Sequence, residues 1–382
     1  MEKVKNTPTL RFPEFKGEWE KKKLGELVKI NQGLQIAITE RYTEQVEGSH
    51  FYITNEFLKA NSEKKYFIKN PTQSVLCTKD DILMTRTGNT GMVVTNVEGA
   101  FHNNFFKVAY PEHLNKDYLY NFLKLEKTQN LIKKMAGTST IPDLNHSDFY
   151  RIQMSYPTLP EQQKIATFLT AVDEKLQSLK QKKNFLEQYK KGVMQQIFSQ
   201  ELRFATDNGN TFPDWEEKKL GECLDYLQPT KYLVSSTEYD NSYNTPVLTA
   251  GKTFILGYTN ETNGIFENDL PVIIFDDFTT ATQFVDFPFK AKSSAMKILI
   301  PRQDIDIKFI YEAMQIMNYE IGGHERHWIS KFSQIDMQIP CLEEQTKIAN
   351  FLSAIDDKIN HCQAQITHTE IWKKGLLQQM FV

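Results

Sequence analysis

Apolar residues return every seven positions along two stretches of the chain. In the first, Ile165, Val172, Leu179, Leu186 and Val193 form one row, and Leu169, Leu176 and Ile197 fill the complementary seam, interrupted by Lys183 and Lys190. In the second, Ile348, Ile355, Cys362, Thr369 and Leu376 stand beside Leu352, Ile359, Ile366 and Met380. A sustained 3.5-residue period with charged flanks predicts two coiled-coil helices. Each would run about forty residues, roughly 60 Å at the rise of an α-helix. A helix with one apolar stripe needs a partner for it, so the two are expected to pack against each other. Thr158, with Pro160 in the first turn and Glu161 at the capping-box position, marks the first start; Cys341 is a poorer cap for the second.

Elsewhere the pattern shortens to runs separated by turns. In residues 28–148, Val75 to Cys77, Ile82 to Thr85, Met92 to Val94 and Phe105 to Val108 read as strands, with turns at Lys79-Asp80 and Thr87-Gly88-Asn89. In residues 223–331, Val272 to Phe275, Thr282 to Val285 and Met296 to Ile300 read likewise. Helical stretches at Lys116 to Lys134 and Lys308 to Tyr319 complete each block, giving an α+β class with two long helices.

The chain is also written twice. Trp19-Glu20-Lys21-Lys22-Lys23-Leu24-Gly25-Glu26 returns as Trp215-Glu216-Glu217-Lys218-Lys219-Leu220-Gly221-Glu222, at an offset of 196. LPEQQKIATFLTAVDEKL from Leu159 returns as LEEQTKIANFLSAIDDKI from Leu342, at an offset of 183 that also pairs Phe149, Ile152, Met154 and Pro157 with Phe332, Ile335, Met337 and Pro340. Between these fixed motifs the two blocks show little similarity. The order is therefore variable, fixed, variable, fixed, with boundaries set at residues 1–157, 158–200, 201–340 and 341–382. If each block with its helix is half of a pseudo-two-fold whose axis crosses the helices, the helices run antiparallel. Gly192 and Gly375 fall at matching places inside the helices, which suggests a close approach, a bend or a local weakness.

Composition narrows the class. The 382 residues are 40% hydrophobic and 12% aromatic, enough for two or three packed domains. No window nears the roughly 20 uncharged apolar residues of a membrane helix, and no apolar signal core follows the N-terminal lysines, so a cytoplasmic location is expected. Cys77, Cys223, Cys341 and Cys362 are scattered and read as buried thiols. A net charge of −3 gives no overall basic footprint, so any DNA contact must be local. Lys290, Lys292, Lys297 and Arg302 cluster in sequence with only Asp286 nearby, a basic patch or a plain solvated surface.

Catalytic motifs fail one by one. Gly251-Lys252-Thr253 resembles the end of a phosphate loop, but Pro246 stands where that loop needs glycine. Asp214, Glu216 and Glu217 are too close in sequence to surround a metal from separate strands. His324, Glu325, Arg326 and His327 lack a third ligand candidate and read as a surface or DNA-facing cluster. No cofactor fingerprint and no adenine-methylating tetrapeptide is present, so the chain reads as non-catalytic, with no cofactor and no metal.

Two dissimilar blocks, each followed by a near-identical helix opening, resemble the specificity subunits of type I restriction-modification systems. The resemblance rests on Leu159-Pro160-Glu161-Gln162 with Ile165-Ala166 and Phe168-Leu169, on Glu344-Gln345 with Ile348-Ala349 and Phe351-Leu352, and on Asp81-Ile82-Leu83-Met84-Thr85-Arg86-Thr87-Gly88. It departs from the first copy at Glu343, which replaces Pro160. The resemblance implies two target-recognition domains reading the halves of a bipartite double-stranded DNA site, and helices that act as spacer and docking surface. It also implies two adenine methyltransferase subunits that bind S-adenosylmethionine, ATP-dependent restriction subunits, and no membrane. Polar loop residues are expected to face the major groove or phosphates: Arg86, Asn89, Asn103 and Asn104 in the first block, and Thr279, Gln283, Lys290, Lys292, Arg326 and His327 in the second. Arginine suits guanine, asparagine and glutamine suit adenine, and lysine suits phosphate. Two other classes compete: a coiled-coil scaffold with two protein-binding domains, and a stand-alone DNA-modifying enzyme, which the missing motifs disfavour.

Overall fold

The computed structural model describes residues 6–59, 62–137, 142–249, 253–317 and 327–382. Two long helices, Leu159–Phe198 and Leu342–Met380, occupy the heptad segments. The chain forms two compact units, Met1–Leu179 with Gln365–Val382, and Lys180–Ala364. The division cuts both helices, so each unit holds one variable block, the start of the helix that follows it and the end of the other helix.

In the first unit Ile165, Leu169 and Val172 are buried in one core with Leu376 and Met380. In the second, Val193 and Ile197 share a core with Ile348, Leu352 and Ile355. The seven-residue rows are thus the packed faces. Direction follows from contacts within each unit. The Leu10 amide donates to Gln379 O at 3.0 Å while adjacent Arg11 holds Glu161, bringing the end of the second helix to the start of the first. In the other unit Arg203, just past the first helix, holds Glu344 in the first turn of the second. The helices are antiparallel, as the repeat predicts.

Charges that interrupt the stripe are paired. Lys190 lies 2.6 Å from Asp356 and 2.8 Å from buried Glu312. Its repeat counterpart Lys373 meets Asp173, the counterpart of Asp356, at 2.5 Å. Burial opposes the ionisation of Asp356, but hydrogen bonds from Lys190 and Lys308 outweigh it and hold that carboxyl below its ordinary pKa. Gly192 has no neighbour within 4 Å of a built Cβ, and Gly375 has only Gln379 Nε2 at 3.9 Å, so the close-approach reading of these glycines is not supported.

The fixed motifs explain one another. Glu20–Lys23 pairs antiparallel with Gln153–Tyr156, and Glu216–Lys219 pairs antiparallel with Asp336–Ile339. Glu20 faces Tyr156 just as Glu216 faces Ile339, the same register under the two sequence offsets. A helical turn follows each first strand, at Leu24–Leu27 and Leu220–Cys223. A side chain at Gly25 would come within 3.0 Å of Tyr150 Cβ, and one at Gly221 within 2.9 Å of Ser333, which accounts for glycine in both copies.

Glu161 does not serve as a capping-box acid. It is buried and accepts from Arg11 Nε at 2.7 Å, Arg11 NH2 at 2.8 Å and Trp19 Nε1 at 3.3 Å. Glu344 accepts likewise from Arg203 at 3.2 and 2.7 Å and from Trp215 Nε1 at 3.1 Å. The neighbouring glutamines repeat as closely. Gln162 accepts from Asn115 N and donates to Pro157 O, both at 2.8 Å; Gln345 accepts from Asp306 N and donates to Pro340 O, both at 2.8 Å. Each fixed Glu-Gln therefore locks its block to the helix that follows.

The variable blocks, dissimilar in sequence, share a topology. The first has an antiparallel sheet in the order Lys29–Gln32, Phe105–Ala109, Ile82–Thr85, Val93–Val94. The second has Leu224–Leu227, Met296–Pro301, Val272–Asp276, Thr282–Val285 in the same order and directions. A smaller sheet recurs beside each. Ser49–Ile53 takes Phe67–Lys69 antiparallel and Gly99–Phe101 parallel, as Thr245–Leu248 takes Ile255–Thr259 antiparallel and Lys290–Ala291 parallel. The helical stretch expected over Lys116 to Lys134 is two helices, Lys116–Lys124 and Glu126–Ala136, because Leu125 adopts an extended backbone (ψ 137°). Ile307–Ile316 begins on the Asp306 carboxylate, which accepts from Lys308 N and Phe309 N.

Cys77, Cys223 and Cys362 are buried, whereas Cys341 is exposed rather than buried. Among the described residues no helix is long and apolar enough to cross a membrane.

Candidate nucleic-acid interface

In the first block the turn after the central strand Ile82–Thr85 carries Arg86 and Asn89. Its backbone is fixed from within: Gly91 N donates to Thr85 O and Met92 N to Thr85 Oγ1, both at 2.9 Å. Gly88 and Gly91, at φ +80° and +91°, supply the left-handed residues that this path requires. Arg86 is not a free reader. Its Nε and NH2 donate to the Asp143 carboxylate at 3.0 and 2.6 Å, a bidentate pair. The Arg86 hydrogen bond, opposed by partial burial, holds the Asp143 carboxyl below its ordinary pKa. Asn89 is exposed at the tip. Asn104 lies beside them, its carbonyl accepting from Arg86 N at 2.7 Å. Asn103 is half-buried and donates to Gln35 Oε1 at 2.9 Å.

In the second block the equivalent turn follows Val272–Asp276. Asp276 Oδ1 accepts from Phe278 N at 2.9 Å and Thr279 N at 3.4 Å, and Thr280 sits at φ +60°. Thr279 and Phe278 are exposed, and Gln283 is half-buried on the next strand. Asp277 points inward. It is 2% exposed, lies 3.3 Å from Lys297 Nζ and accepts from Trp328 N at 2.9 Å.

Two of the residues expected to make contacts are buried. Lys290 is buried, its Nζ 2.8 Å from Glu261 and 2.5 Å from Asn263 O, so its charge is spent inside the domain. His327 is buried with no exposed surface, its amide donating to Asp277 O at 3.1 Å. Neither side chain can meet a phosphate in this conformation. Arg326 lies outside the described residues, as do His324, Glu325, Gly251 and Lys252. The basic patch is likewise not a patch: Lys297 pairs with Asp277, Arg302 with Asp225 at 2.8 Å, and Lys292 sits over the Tyr239 ring at 5.8 Å. The residues missed by the sequence reading are Asp143 and Asp277, which organise the two turns. No local signal marks them, because their partners are distant in sequence.

The model of the type I restriction modification DNA specificity domain matches this chain twice, over residues 16–188 and 213–368. The chain belongs to that family. Among members of the type I specificity family, the EcoR124I/EcoR124II specificity subunit of Escherichia coli is 49% identical over 156 residues, 39% of this chain and 39% of the relative. The MjaVIII specificity subunit of Methanocaldococcus jannaschii is 28% identical over 246 residues, 63% of this chain and 56% of the relative. The matched stretches thus span less than two thirds of either relative. A solved type I restriction-modification S subunit from M. genitalium superposes with a TM-score of 0.68 at 18% identity, covering 98% of this chain and 99% of that one. A chain from a structure describing complex assembly and conformational transition of the type I restriction-modification system gives 0.51 at 13% identity, covering 95% and 97%. At these identities the superpositions speak for the fold. The two family matches coincide with the two repeats, each comprising one variable block and most of the long helix after it.

Proposed function

We propose that this chain is the DNA-specificity subunit of a type I restriction-modification complex. It is non-catalytic, acts in the cytoplasm, and reads a bipartite asymmetric site in double-stranded DNA. Residues 1–157 and 201–340 serve as the two target-recognition domains, and residues 158–200 and 341–382 as the spacer helices. The observation that carries this reading is the double construction. One topology is built from two dissimilar sequences and fastened by the same Arg-Glu-Trp and Gln contacts in each copy. A repeated frame with unlike inserts suits two half-sites of unlike sequence. The exposed turn residues Asn89 and Thr279, half-buried Asn103, Asn104, Gln283 and Lys292, and Arg326 are candidates for groove contact.

The partners are two methyltransferase subunits that bind S-adenosylmethionine, and ATP-dependent restriction subunits. Support for two copies of one partner comes from aromatic surface repeated on the helices. Phe168 packs edge-on against Phe12 and Trp372, each at 5.9 Å, and Trp372 is 52% exposed. Phe351 packs on Phe204 at 5.6 Å, and Tyr189, at the repeat position of Trp372, is 54% exposed. Exposed aromatics of this kind are common anchors of protein interfaces.

The test is to map methylated adenines in DNA from a host carrying the system, then exchange residues 28–148 for the matching block of a related subunit. One bipartite motif, changed in one half only by the exchange, is expected. Sequence-independent DNA binding with the partners present would favour a protein-binding scaffold instead.

A further inference from the structure

In both blocks the turn after the central strand is fastened to the segment that returns from the block's helices, by different chemistry each time. In the first block the returning segment supplies the acid. Asp143 takes Arg86 and also Thr87 Oγ1 at 2.5 Å. Around it Leu144 N donates to Arg86 O at 2.9 Å and Thr90 Oγ1 to Pro142 O at 2.8 Å. In the second block the turn itself supplies the acid: Asp277 takes the amide of Trp328 with its carboxylate and that of His327 with its carbonyl. Two unrelated sequences reaching the same connection suggest that the position of the turn matters, rather than any one residue.

We propose that Asp143 is a positioning residue for sequence recognition: by holding Arg86 and Thr87 it fixes the turn bearing Asn89 against residues 142–144, so that turn and segment present one reading surface to DNA. This rests on the proposed function. Arg86 then acts through Asp143 and not as an independent base reader, and Asn89 is the outward polar side chain that the clamp aims. Asp143 is 43% exposed, but its loss leaves the Arg86 guanidinium, 21% exposed, without its carboxylate; because that group still reaches water, the domain loses some stability yet stays folded.

The experiment selects the full-length chain, purified with its methyltransferase subunits, against duplex DNA randomised over both half-sites. Wild type, Asp143→Ala, Asp143→Asn, Arg86→Ala and the double alanine variant are compared. Asp143→Ala should lower discrimination at one half-site about tenfold, within the usual range for one specific contact. The other half should be unchanged, and the thermal midpoint should fall by only a few degrees, about as much in Arg86→Ala as in Asp143→Ala. Asp143→Asn, which keeps one acceptor for Thr87, should retain part of the preference, and the double variant should be no worse than either single. Unchanged preference in Asp143→Ala, loss in both halves together, or additive losses in the double variant would overturn the inference, the last by making Arg86 a reader in its own right. No sequence preference in the wild type would instead overturn the assignment as a specificity subunit, and this inference with it.

Discussion

Replacing Glu161 by alanine tests the frame at a buried charge. The Glu161 side chain is 2% exposed, and Arg11 opposite it 17% exposed. The substitution removes two charge-assisted hydrogen bonds from Arg11 and one bond from the Trp19 indole. Breaking a buried pair by removing one partner costs about 3 to 5 kcal/mol. Arg11 keeps its bond to Gly17 O at 2.6 Å and some access to water, which places the cost near the lower limit, about 3 kcal/mol. Glu161→Gln preserves the shape and an acceptor for Trp19, so it should cost about half as much. Glu344→Ala removes the equivalent bonds to Arg203 and Trp215 and should cost about the same. The two sites share no partner, so the double variant should lose the sum, about 6 kcal/mol. Urea unfolding of the full chain measures the totals, and amide exchange over residues 6–19 and 201–215 shows which segment has loosened. A loss under about 0.5 kcal/mol for Glu161→Ala, or equal loosening of both segments, would refute the idea that this contact fastens each block separately.

Three further outcomes are expected. The pKa of His102 is lowered to about 4, by burial first and then by Arg41, and its Nδ1 accepts from Asn104 N; stability should therefore be full above the ordinary histidine pKa of about 6.5 and fall by about 2 kcal/mol as pH drops toward 4, a slope that His102→Gln should flatten in acid titration of the unfolding midpoint. Gly192→Ala, on exposed helix surface, and Gly375→Ala, half-buried but with room for a Cβ, should each raise stability by about 1 kcal/mol in denaturant melts, whereas a loss at either would reveal a bend that the helix needs. Lys290→Ala strands Glu261 and should cost about 3 kcal/mol while leaving the salt slope of DNA binding unchanged; a slope reduced by about one ion would restore Lys290 as a phosphate contact.

Much of the frame was legible in the sequence because it is written in local periods and in exact repetition. The seven-residue rows fixed which face of each long helix is buried, since an α-helix brings positions three and four apart onto one side whatever surrounds it. The two repeat offsets fixed that Trp19 to Glu26 and Phe149 to Pro157 belong to one module, and the strands Ile82–Thr85 and Thr282–Val285 stood where the apolar runs placed them. Tertiary structure alone decided what those modules do to each other. Glu161 reads as a cap from its neighbours, yet its partner is Arg11, 150 residues away. Lys290 and Lys297 read as a basic surface, yet each is buried against an acid brought in from another strand or turn. The shared topology of the two blocks was hidden for the same reason: strand pairing asks only for apolar residues at the right spacing, which many sequences supply, whereas a charge is neutralised by whichever group the folded chain places within about 4 Å of it, and the linear order of residues does not record that distance.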